Sequence, residues 1–451
     1  MTTTTARGQG RAAQEGRAAQ EGRGLREGRG LREVPESREG SAGRMGRTGR
    51  AVRVGSPGRA GAPALPGNQV LLSVLVTVLI VVGLVMVLSS SSVDSLHQYG
   101  SSWVYFEHQL LWVALGGACL VVAARVDYRR WRRYGGILLV ACIVLLLAVL
   151  VPHVGVKVNG SSRWLGAGSL TFQPSELTKL ALALFGADVL ARRSGEGRPW
   201  GPAVRPVLIA FALAALAILA QPDMGTALVL GCITLGLLYA AGVPGKALGG
   251  LLGAGAVLAF ILGMAMPYRR ARLLSFLDPW AHRANTGYQE VQSLIGFANG
   301  HLLGVGLGAS TSKYGFLPNA HTDFIFSIIG AELGLVGTLL VVVLFVALAV
   351  VGLRTAARAP DRYGFLLAAA ITCWLTSQAI LNMGAVIGLL PVTGVPLPFI
   401  SYGGSSLVFE MAATGVLISI ARRGRRSPQR PHAVGEDLDA AGRRPGRGWR
   451  S

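Results

Sequence analysis

Ten apolar stretches, separated by short polar segments, dominate the sequence between residues 70 and 421. They cover residues 70–88, 110–124, 135–151, 175–191, 204–220, 224–241, 248–266, 324–353, 364–387 and 405–421. A helix needs about 20 apolar residues to cross a bilayer core, and tilt or snorkelling flanks accommodate shorter ones. A composition of 51% hydrophobic and 14% charged residues also argues against a soluble domain. The sequence therefore predicts an all-α polytopic membrane protein, a bundle of about ten transmembrane helices.

Both ends of the chain are rich in arginine. Residues 1–68 hold 13 Arg against 6 Glu, and residues 422–451 hold 9 Arg against 3 acidic residues, which together account for +13 of the net charge of +21. The first 33 residues repeat GRAAQE and GRGLRE twice each, and such hexads have no apolar face to offset the ordering entropy. We therefore predict disordered basic cytoplasmic tails at 1–68 and 422–451, around a membrane domain at 69–421. Arginine-rich ends on an apolar body indicate contact with anionic membrane lipid rather than nucleic acid.

The basic residues between the stretches predict the orientation. With the N-terminus inside, the inner loops carry 13 Lys and Arg and the outer loops carry seven. The positive-inside rule then places both termini in the cytoplasm and makes 267–322 a long extracytoplasmic loop between helices 7 and 8. The outer segments 152–174, 267–322 and 388–404 are rich in polar and helix-breaking residues. Because irregular backbone near membrane depth must be buried by protein or reached by water, these segments are expected to roof a cavity that opens outward.

Asp323 is the last polar residue before the apolar stretch 324–353. It should therefore lie at the outer membrane boundary, near a helix N-terminus. One interpretation is a helix cap, because Thr322 or Asp323 is a good N-cap residue and a carboxylate there is favourable with the helix dipole. The other interpretation is a catalytic carboxylate.

Several ionisable residues lie within the predicted spans. Glu176 and Lys179 stand three apart near the outer end of the fourth, Glu332 is nine residues beyond Asp323, and Glu410 is in the last. Charges at such depth are costly, so they face a bundle interior or a wet cavity and pair with each other. Buried pairs such as Glu176 with Lys179, and a role in lining a substrate cavity, both fit this pattern.

Three outer cations, Lys157, Arg163 and Lys313, are candidates for binding phosphate, since arginine offers forked contacts and lysine a point charge. Contact with lipid headgroups is the alternative. The arginines at 269, 270 and 272, followed by LLSFLDPW (273–280), favour an interfacial amphipathic anchor.

Motifs that are absent narrow the chemistry. The sequence contains no Walker A motif, no GxGxxG after a strand, no HExxH and no GxSxG. The four cysteines lie inside apolar stretches and show no disulfide or metal-binding spacing. An outward-facing site also lacks ATP and nucleotide sugars. A transferase there needs a donor that is activated in another way, and a lipid-linked pyrophosphate is the natural candidate.

Four blocks of the sequence, in order, resemble the SEDS family of bacterial shape, elongation, division and sporulation proteins, and most closely its division branch. The resemblance extends from about residue 70 to 421. The blocks are VKVNGSSRWLGAGSLTFQPSELTKLA (156–181), QPDMGTAL (221–228), GYQEVQSLIGFANGHLLGVGLGASTSKYGFLPNAHTDFIF (287–326) and PVTGVPLPFISYGGSS (391–406).

This resemblance implies a peptidoglycan glycosyltransferase that polymerises lipid II into glycan strands at the division septum and releases polyprenyl diphosphate. It maps the essential acid of the family onto Asp323. It also implies a class B penicillin-binding transpeptidase and septal division regulators as partners. The charge that grows on the leaving pyrophosphate needs compensation, for which a divalent cation, Mg²⁺ or Mn²⁺, is an optional cofactor. The expected substrate-binding residues are Lys157, Arg163, Glu176, Lys179, Lys313, His321, Glu332 and Ser401.

The sequence departs from the family pattern at two carboxylates. Asn319 replaces the usual Glu before HTDFIF, and Ala331 stands where the family has the first Glu of its EELG run. Roles of those two groups are therefore not transferred to this chain. Two alternatives to an enzyme stay open, a lipid II transporter and a non-enzymatic division scaffold that acts through the basic tails.

Overall fold

The computed structural model describes residues 67–158, 161–167, 170–193, 200–265 and 267–424. Most of both predicted tails, 1–66 and 425–451, lies outside these described residues. Within them, helical structure begins at Asn68 and the last helix continues to Gly424, three residues into the predicted C-terminal tail.

The described chain is built mainly of helices. Their bounds are α1 Asn68–Tyr99, α2 Val104–Arg125, α3 Tyr128–Trp131, α4 Gly135–Val149, α5 Pro174–Arg193, α6 Trp200–Ala220, α7 Met224–Ala240, α8 Gly245–Ala265, α9 Pro267–Leu277, α10 Tyr288–Gly300, α11 Ile325–Ala357, α12 Arg362–Val386 and α13 Gly404–Gly424. Each of the ten predicted apolar stretches overlaps one helix, namely α1, α2, α4 to α8 and α11 to α13. The all-α membrane fold predicted from the sequence is confirmed.

Seven of the described helices, α1, α2, α6, α8, α11, α12 and α13, are long and apolar enough to cross a membrane. Helices α4 and α7 are apolar but have only 15 and 17 residues. Helix α5 has 20 residues and carries Glu176, Lys179 and Asp188 within them. A multi-pass chain is therefore established, whereas the count of about ten crossings stays a prediction.

Helices α12 and α13 form the centre of the bundle. Their apolar windows are 67% and 78% buried, whereas that of α8 is only 6% buried. Helix α12 packs against α11, α7 and α5, and α13 packs closely against α2. Alanines 368–370 of α12 are all buried, and small side chains of this kind let helix backbones approach closely where lipid provides no hydrophobic driving force.

Helix α11 is broken rather than continuous. Gly334 has a φ of 65°, a left-handed conformation that interrupts the helical hydrogen bonds. The segment after α10 supplies the missing partners, since the amides of Leu335 and Val336 donate to the carbonyls of His301 and Leu302. Non-helical backbone at membrane depth is tolerated only with such internal partners. The sequence predicted one uninterrupted apolar helix here, and the break is a correction.

A small antiparallel sheet follows α4, where the sequence indicated only irregular structure. Its strands are β1 Val156–Val158, β2 Ser161–Ala167 and β3 Leu170–Phe172, in the order β1-β2-β3. The sheet leads directly into α5. The amide of Gln173 donates to the Ser405 hydroxyl at the start of α13, and the Gln173 side chain donates to Asp223 at the start of α7. The sheet therefore lies at the end of the bundle that the sequence predicts to face outward.

A buried polar network joins α5, α12 and α13. The Gln378 carbonyl accepts from the Lys179 ammonium and the Trp374 indole, both at 2.8 Å. The Gln378 amide donates to the Pro396 carbonyl and, at 2.8 Å, to the Glu410 carboxylate. All four hydrogen-bonding positions of this amide are used, as a buried amide in an apolar bundle requires.

This network also holds the segment between α12 and α13. The second oxygen of Glu410 accepts from the amide of Phe399, and the Asn382 side chain donates to the Val395 carbonyl at 2.8 Å. Phe399 has a φ of 64°, a strained conformation for an aromatic residue that its surroundings must stabilise. The segment 392–401, which forms part of the site described below, is therefore fixed from within the membrane domain.

We predict that Gly83→Ala destabilises the fold, because a Cβ atom at Gly83 of α1 would lie 2.6 Å from the Phe399 carbonyl oxygen and 2.8 Å from the Ile400 Cα atom. These are backbone atoms, which cannot rotate away. Overpacking of this kind costs about 1–3 kcal/mol, and the loss is measured as a lower midpoint of thermal unfolding in detergent.

Gly117→Ala in α2 is the matched control, since the nearest atom to its Cβ is a methionine methyl at 3.9 Å. Its unfolding midpoint should be unchanged or slightly higher, because alanine is favoured over glycine by about 1 kcal/mol in a helix. Equal stability of the two variants would contradict the close packing of α1 on the segment 392–401.

Candidate active site

Three consecutive carbonyl groups immediately before α11 are held by three separate donors. The carbonyl of His321 accepts from the Tyr402 amide at 2.9 Å, and that of Thr322 accepts from the Ser401 hydroxyl at 2.6 Å. The carbonyl of Asp323 accepts from the Asn382 side chain at 2.8 Å. Because each peptide is fixed, the backbone that carries the Asp323 side chain has little freedom.

The helix-cap interpretation of this segment is wrong. Helix α11 begins at Ile325, and its N-cap residue is Phe324, which makes no side-chain cap hydrogen bond. The Thr322 hydroxyl instead donates to the carbonyl of Asn319. The φ of Asn319 is 58°. Asparagine adopts this left-handed conformation more readily than most residues, so the departure from the family pattern at this position suits the local turn.

Asp323 borders a small cleft between the end of α12 and the segment 392–395. The cleft is lined by Asp323, Phe324, Asn382, Ala385, Val386, Val392, Thr393, Gly394 and Val395. A Cβ atom at Gly394 would lie 3.6 Å from the Asp323 carboxylate, and the φ of this glycine is 71°. Gly394 thus allows the turn that brings the backbone of this segment beside the carboxylate while leaving the carboxylate partly exposed.

The Asp323 carboxyl group has a perturbed affinity for protons. Burial raises its pKa from 3.8 to about 6, and the negative charge of Asp223 adds to this rise. The positive charges of Arg272 and Arg163 oppose it, and His321 does so only when its ring is protonated. A carboxylate with a pKa near 6 is a better proton acceptor than an ordinary aspartate, and still ionised at neutral pH.

A second carboxylate, Glu290 of α10, lies close to the same arginine. Its side chain is only 5% exposed, and burial raises its pKa, whereas Arg272 and the amide of Val392 lower it. One of its oxygens, Oε2, has no hydrogen-bond partner among the described residues. Arg272 therefore acts on both Asp323 and Glu290, and α9 and α10 contribute to the electrostatics of the site.

The predicted phosphate-binding cations are engaged with backbone carbonyls. Arg163 of β2 donates to the carbonyls of Gln221 and Pro222 in the turn before α7, and its charge reaches Asp323. Lys313 is 6% exposed and donates to the carbonyl of Gly308. The side chain of Lys157 lies outside the described part of the chain.

Two further predicted site residues belong to the framework around Asp323. The Ser401 hydroxyl both donates to Thr322 and accepts from the Leu397 amide, so it is fully used within the protein. The His321 ring packs against the rings of Tyr105 and Tyr402, with centroids 4.8 and 5.6 Å apart.

The ionisable residues predicted within the spans are not among the residues that line this cleft. Glu176 and Lys179 form an ion pair of 2.7 Å and are almost fully buried, which supports the buried-pair interpretation. Glu332 is also fully buried, and both of its oxygens lie 2.7 Å from the Ser89 hydroxyl of α1.

Four residues near Asp323 were not among the site residues predicted from the sequence: Arg272, Glu290, Asp223 and Asn382. Arg272 was interpreted as part of a membrane anchor, because the sequence cannot show that α9 brings the charge of one arginine of its cluster within range of Asp323 and Glu290. Asp223 lies in the QPDMGTAL block, where it caps α7 by accepting from the amide and hydroxyl of Thr226.

Among the described residues, no three side chains of His, Cys, Asp or Glu lie together as a metal-binding group. Mg²⁺ is commonly held by one or two carboxylates together with substrate phosphates. A divalent cation, Mg²⁺ or Mn²⁺, thus stays a prediction of the sequence.

Comparison with known proteins identifies relatives along most of the chain. The FtsW protein of Geobacter metallireducens, named a probable peptidoglycan glycosyltransferase, is 39% identical over 346 residues, which cover 77% of this chain and 92% of the relative. Stage V sporulation protein E of Bacillus subtilis is 38% identical over 361 residues, covering 79% of this chain and 97% of the relative.

Solved structures share the fold. A chain of a peptidoglycan synthase complex, described as coordinating polymerization and crosslinking, has a TM-score of 0.65 and 28% identity over 79% of this chain and 98% of its own. The rod shape determining protein RodA of Thermus thermophilus has a TM-score of 0.60 and 26% identity, covering 81% of this chain and 100% of its own.

The family model described as a cell cycle protein, which comprises FtsW, RodA and SpoVE, matches residues 69–426. That range contains the four sequence blocks, the helical bundle and the cleft at Asp323. The resemblance to shape, elongation, division and sporulation proteins is confirmed, and this chain belongs to the FtsW/RodA/SpoVE cell cycle protein family.

Proposed function

We propose that this chain is a peptidoglycan glycosyltransferase that polymerises lipid II on the outer face of the cytoplasmic membrane, at the division septum. Both termini then lie in the cytoplasm, as the distribution of basic residues predicts. The observation that carries the proposal is the environment of Asp323 at the end of a membrane bundle. Its carboxylate is partly buried and has a pKa of about 6, and hydrogen bonds to the carbonyls of residues 321–323 fix its backbone. The names of the relatives support the same reaction class.

In this proposal Asp323 is the general base. Its carboxylate takes the proton from the 4-hydroxyl of the incoming lipid II sugar as that oxygen attacks the anomeric carbon of the membrane-anchored chain. The bond from the anomeric carbon to the pyrophosphate oxygen breaks, and polyprenyl diphosphate leaves with the bonding electron pair. Attack from the face opposite the leaving group inverts the anomeric centre. A positioned base of this kind contributes about 10² to 10⁴-fold to the rate.

The leaving group needs positive charge, because negative charge grows on the pyrophosphate as the bond breaks. Arg163 and Arg272 are the two arginines whose charge reaches Asp323. We assign them to this role. Lys313, whose ammonium donates to the carbonyl of Gly308, is the further cation that the sequence predicts for phosphate contact.

The membrane bundle explains how a sugar transferase reaches a lipid-linked substrate. Helix α8 buries only 6% of its apolar window and leads to α9, which carries Arg272. The polyprenyl chains remain in the bilayer beside this open part of the bundle while the sugars and pyrophosphate enter the cleft.

The first prediction concerns the base. Asp323→Asn keeps the size of the side chain but cannot accept the proton, so the initial rate of lipid II polymerisation by the purified protein should fall at least about 100-fold. Asp278→Asn is the control, because Asp278 is exposed and its contact is a hydrogen bond from the Ala281 amide that asparagine can also accept. Wild-type rates in both variants would show that Asp323 is not the base.

Two further experiments separate the alternatives. Movement of lipid II across protein-containing vesicles without polymer would indicate a transporter. If cells with Asp323 variants divide normally, whereas cells that lack the basic tails show a division defect, the protein is a scaffold.

The second prediction is a pH dependence. A base with a pKa of about 6 is active above that pH, and the rate should be lost as the pH falls through about 6, where Asp323 becomes protonated. Arg272 lowers the pKa of Asp323, so Arg272→Gln should shift the acidic limb to higher pH. The measurement is the pH profile of polymerisation by the wild-type protein and the Arg272→Gln variant. An acidic limb at the same pH in both proteins would contradict the effect of Arg272 on the pKa of Asp323.

We further propose a class B penicillin-binding transpeptidase as partner, together with septal regulators, because one structural relative is part of a complex that couples polymerization and crosslinking. Adding the purified transpeptidase should raise the polymerisation rate of this chain without changing the dependence on Asp323. An unchanged rate with a transpeptidase that is shown to bind would argue against activation by this partner.

A further inference from the structure

A basic groove lies at the end of the bundle opposite Asp323. Its volume is about 620 Å³, and it is lined by residues at the start of α4, the end of α5 and the segment between α3 and α4. Helix α5 fixes its position. The residue before α5, Gln173, bonds to Asp223 beside the proposed active site, whereas Arg192 in its last turn lines the groove. Twenty helical residues span about 30 Å, so the two sites are on opposite sides of the membrane domain.

One wall of the groove is strongly basic. Three arginines, Arg132, Arg133 and Arg192, line it together with a single carboxylate, Asp188, which leaves an excess of two positive charges among the lining residues. Asp188 is 15% exposed and pairs with both Arg132 and Arg192. It therefore orients these two guanidinium groups without neutralising the wall.

The positive end of a helix adds to this wall. Helix α4 has 15 residues, and its N-cap residue Tyr134 makes no side-chain cap hydrogen bond, so the amides of its first turn are not capped by that side chain. Gly136 of this turn lines the groove and presents no Cβ atom there. Uncapped amides at a helix N-terminus favour anions, and here they lie beside the arginines.

The other wall is apolar and exposed. It consists of Ile137, Val140, Ala141 and Phe185, and the first two side chains are 70% and 63% exposed. Val144, one turn further along α4, is 58% exposed and continues the same surface towards the middle of the bundle. A water-soluble anion makes no favourable contact with such an apolar surface, whereas an acyl chain packs against it.

We propose that this groove binds an anionic phospholipid, with the headgroup phosphate at the three arginines and an acyl chain along the exposed face of α4. Arginine matches phosphate oxygens in a forked geometry, and basic pockets between helices on the cytoplasmic side suit anionic headgroups. The site is independent of the glycosyltransferase proposal. It would couple this end of the bundle to the lipid composition of the membrane.

The test uses the full-length protein, purified in detergent, with phosphatidylglycerol and phosphatidylcholine as probes and native mass spectrometry as the readout of bound lipid. The wild-type protein should retain phosphatidylglycerol preferentially. Arg133→Gln/Arg192→Gln leaves the pair between Arg132 and Asp188 in place and should weaken phosphatidylglycerol binding about 25-fold, at about fivefold for each arginine.

The matched control is Arg125→Gln/Arg130→Gln, which removes the same charge from two exposed arginines outside the groove. It should change phosphatidylglycerol binding by no more than about twofold on the same scale. Equal losses in the two double variants, or equal binding of the two lipids by the wild-type protein, would overturn the proposal. Thermal unfolding in lipid-free detergent verifies that all variants are folded.

A further variant distinguishes a lipid from a free phosphate ion. Ala141→Trp fills the apolar wall without changing the charge, so it should reduce retention of phosphatidylglycerol. If inorganic phosphate protects the wild-type protein against unfolding as well as phosphatidylglycerol does, and Ala141→Trp alters neither effect, the groove is a small-anion site and the lipid assignment is wrong.

Discussion

The position of Asp323 depends on hydrogen bonds to the carbonyl groups of residues 321–323. The donors come from α12 and from the segment that joins α12 to α13, so the backbone that carries Asp323 is fixed to the most buried part of the bundle rather than to its own long loop. Catalysis by a positioned base requires this rigidity, because a proton acceptor must stay within hydrogen-bond reach of one hydroxyl. The rest of the site is arranged around that fixed point.

Buried polar groups in the membrane domain serve the same purpose. Gln378 satisfies all of its hydrogen-bonding positions, and through Glu410 and Asn382 the same region holds Phe399 and Val395. In an apolar medium each unpaired group would cost free energy, so the Gln378 amide, with all of its positions paired, has few alternative arrangements. The ion pair of Glu176 with Lys179 ends this network in α5. Glu176 and Lys179 therefore support the cleft at Asp323 through Gln378 and do not line it.

The two ends of the domain use charge in different ways. At Asp323, burial raises the pKa of a carboxyl group while Arg272 and Arg163 limit the rise, which fits the proposed role of a base at neutral pH. At the opposite end, arginines exceed carboxylates around an open groove that has an apolar wall. The first arrangement suits proton transfer and a diphosphate leaving group, and the second suits a headgroup that stays bound.

The sequence alone determined the membrane class, the approximate bounds of ten helices and the position of Asp323 before an apolar helix, because hydropathy and short motifs are local properties of the chain. It did not determine the break at Gly334, because the carbonyls of His301 and Leu302 in a separate segment accept the hydrogen bonds of the interrupted helix. Nor did it determine that α11 begins at Ile325 without a side-chain cap. The pairing of Glu176 with Lys179 was open in the sequence and became definite once α12 placed Gln378 beside the lysine. Arg272 and Glu290 could not be assigned in advance, because a charge acts through distance and burial. Only the packing of α9 and α10 at the end of the bundle brings those two groups within range of Asp323 and Val392.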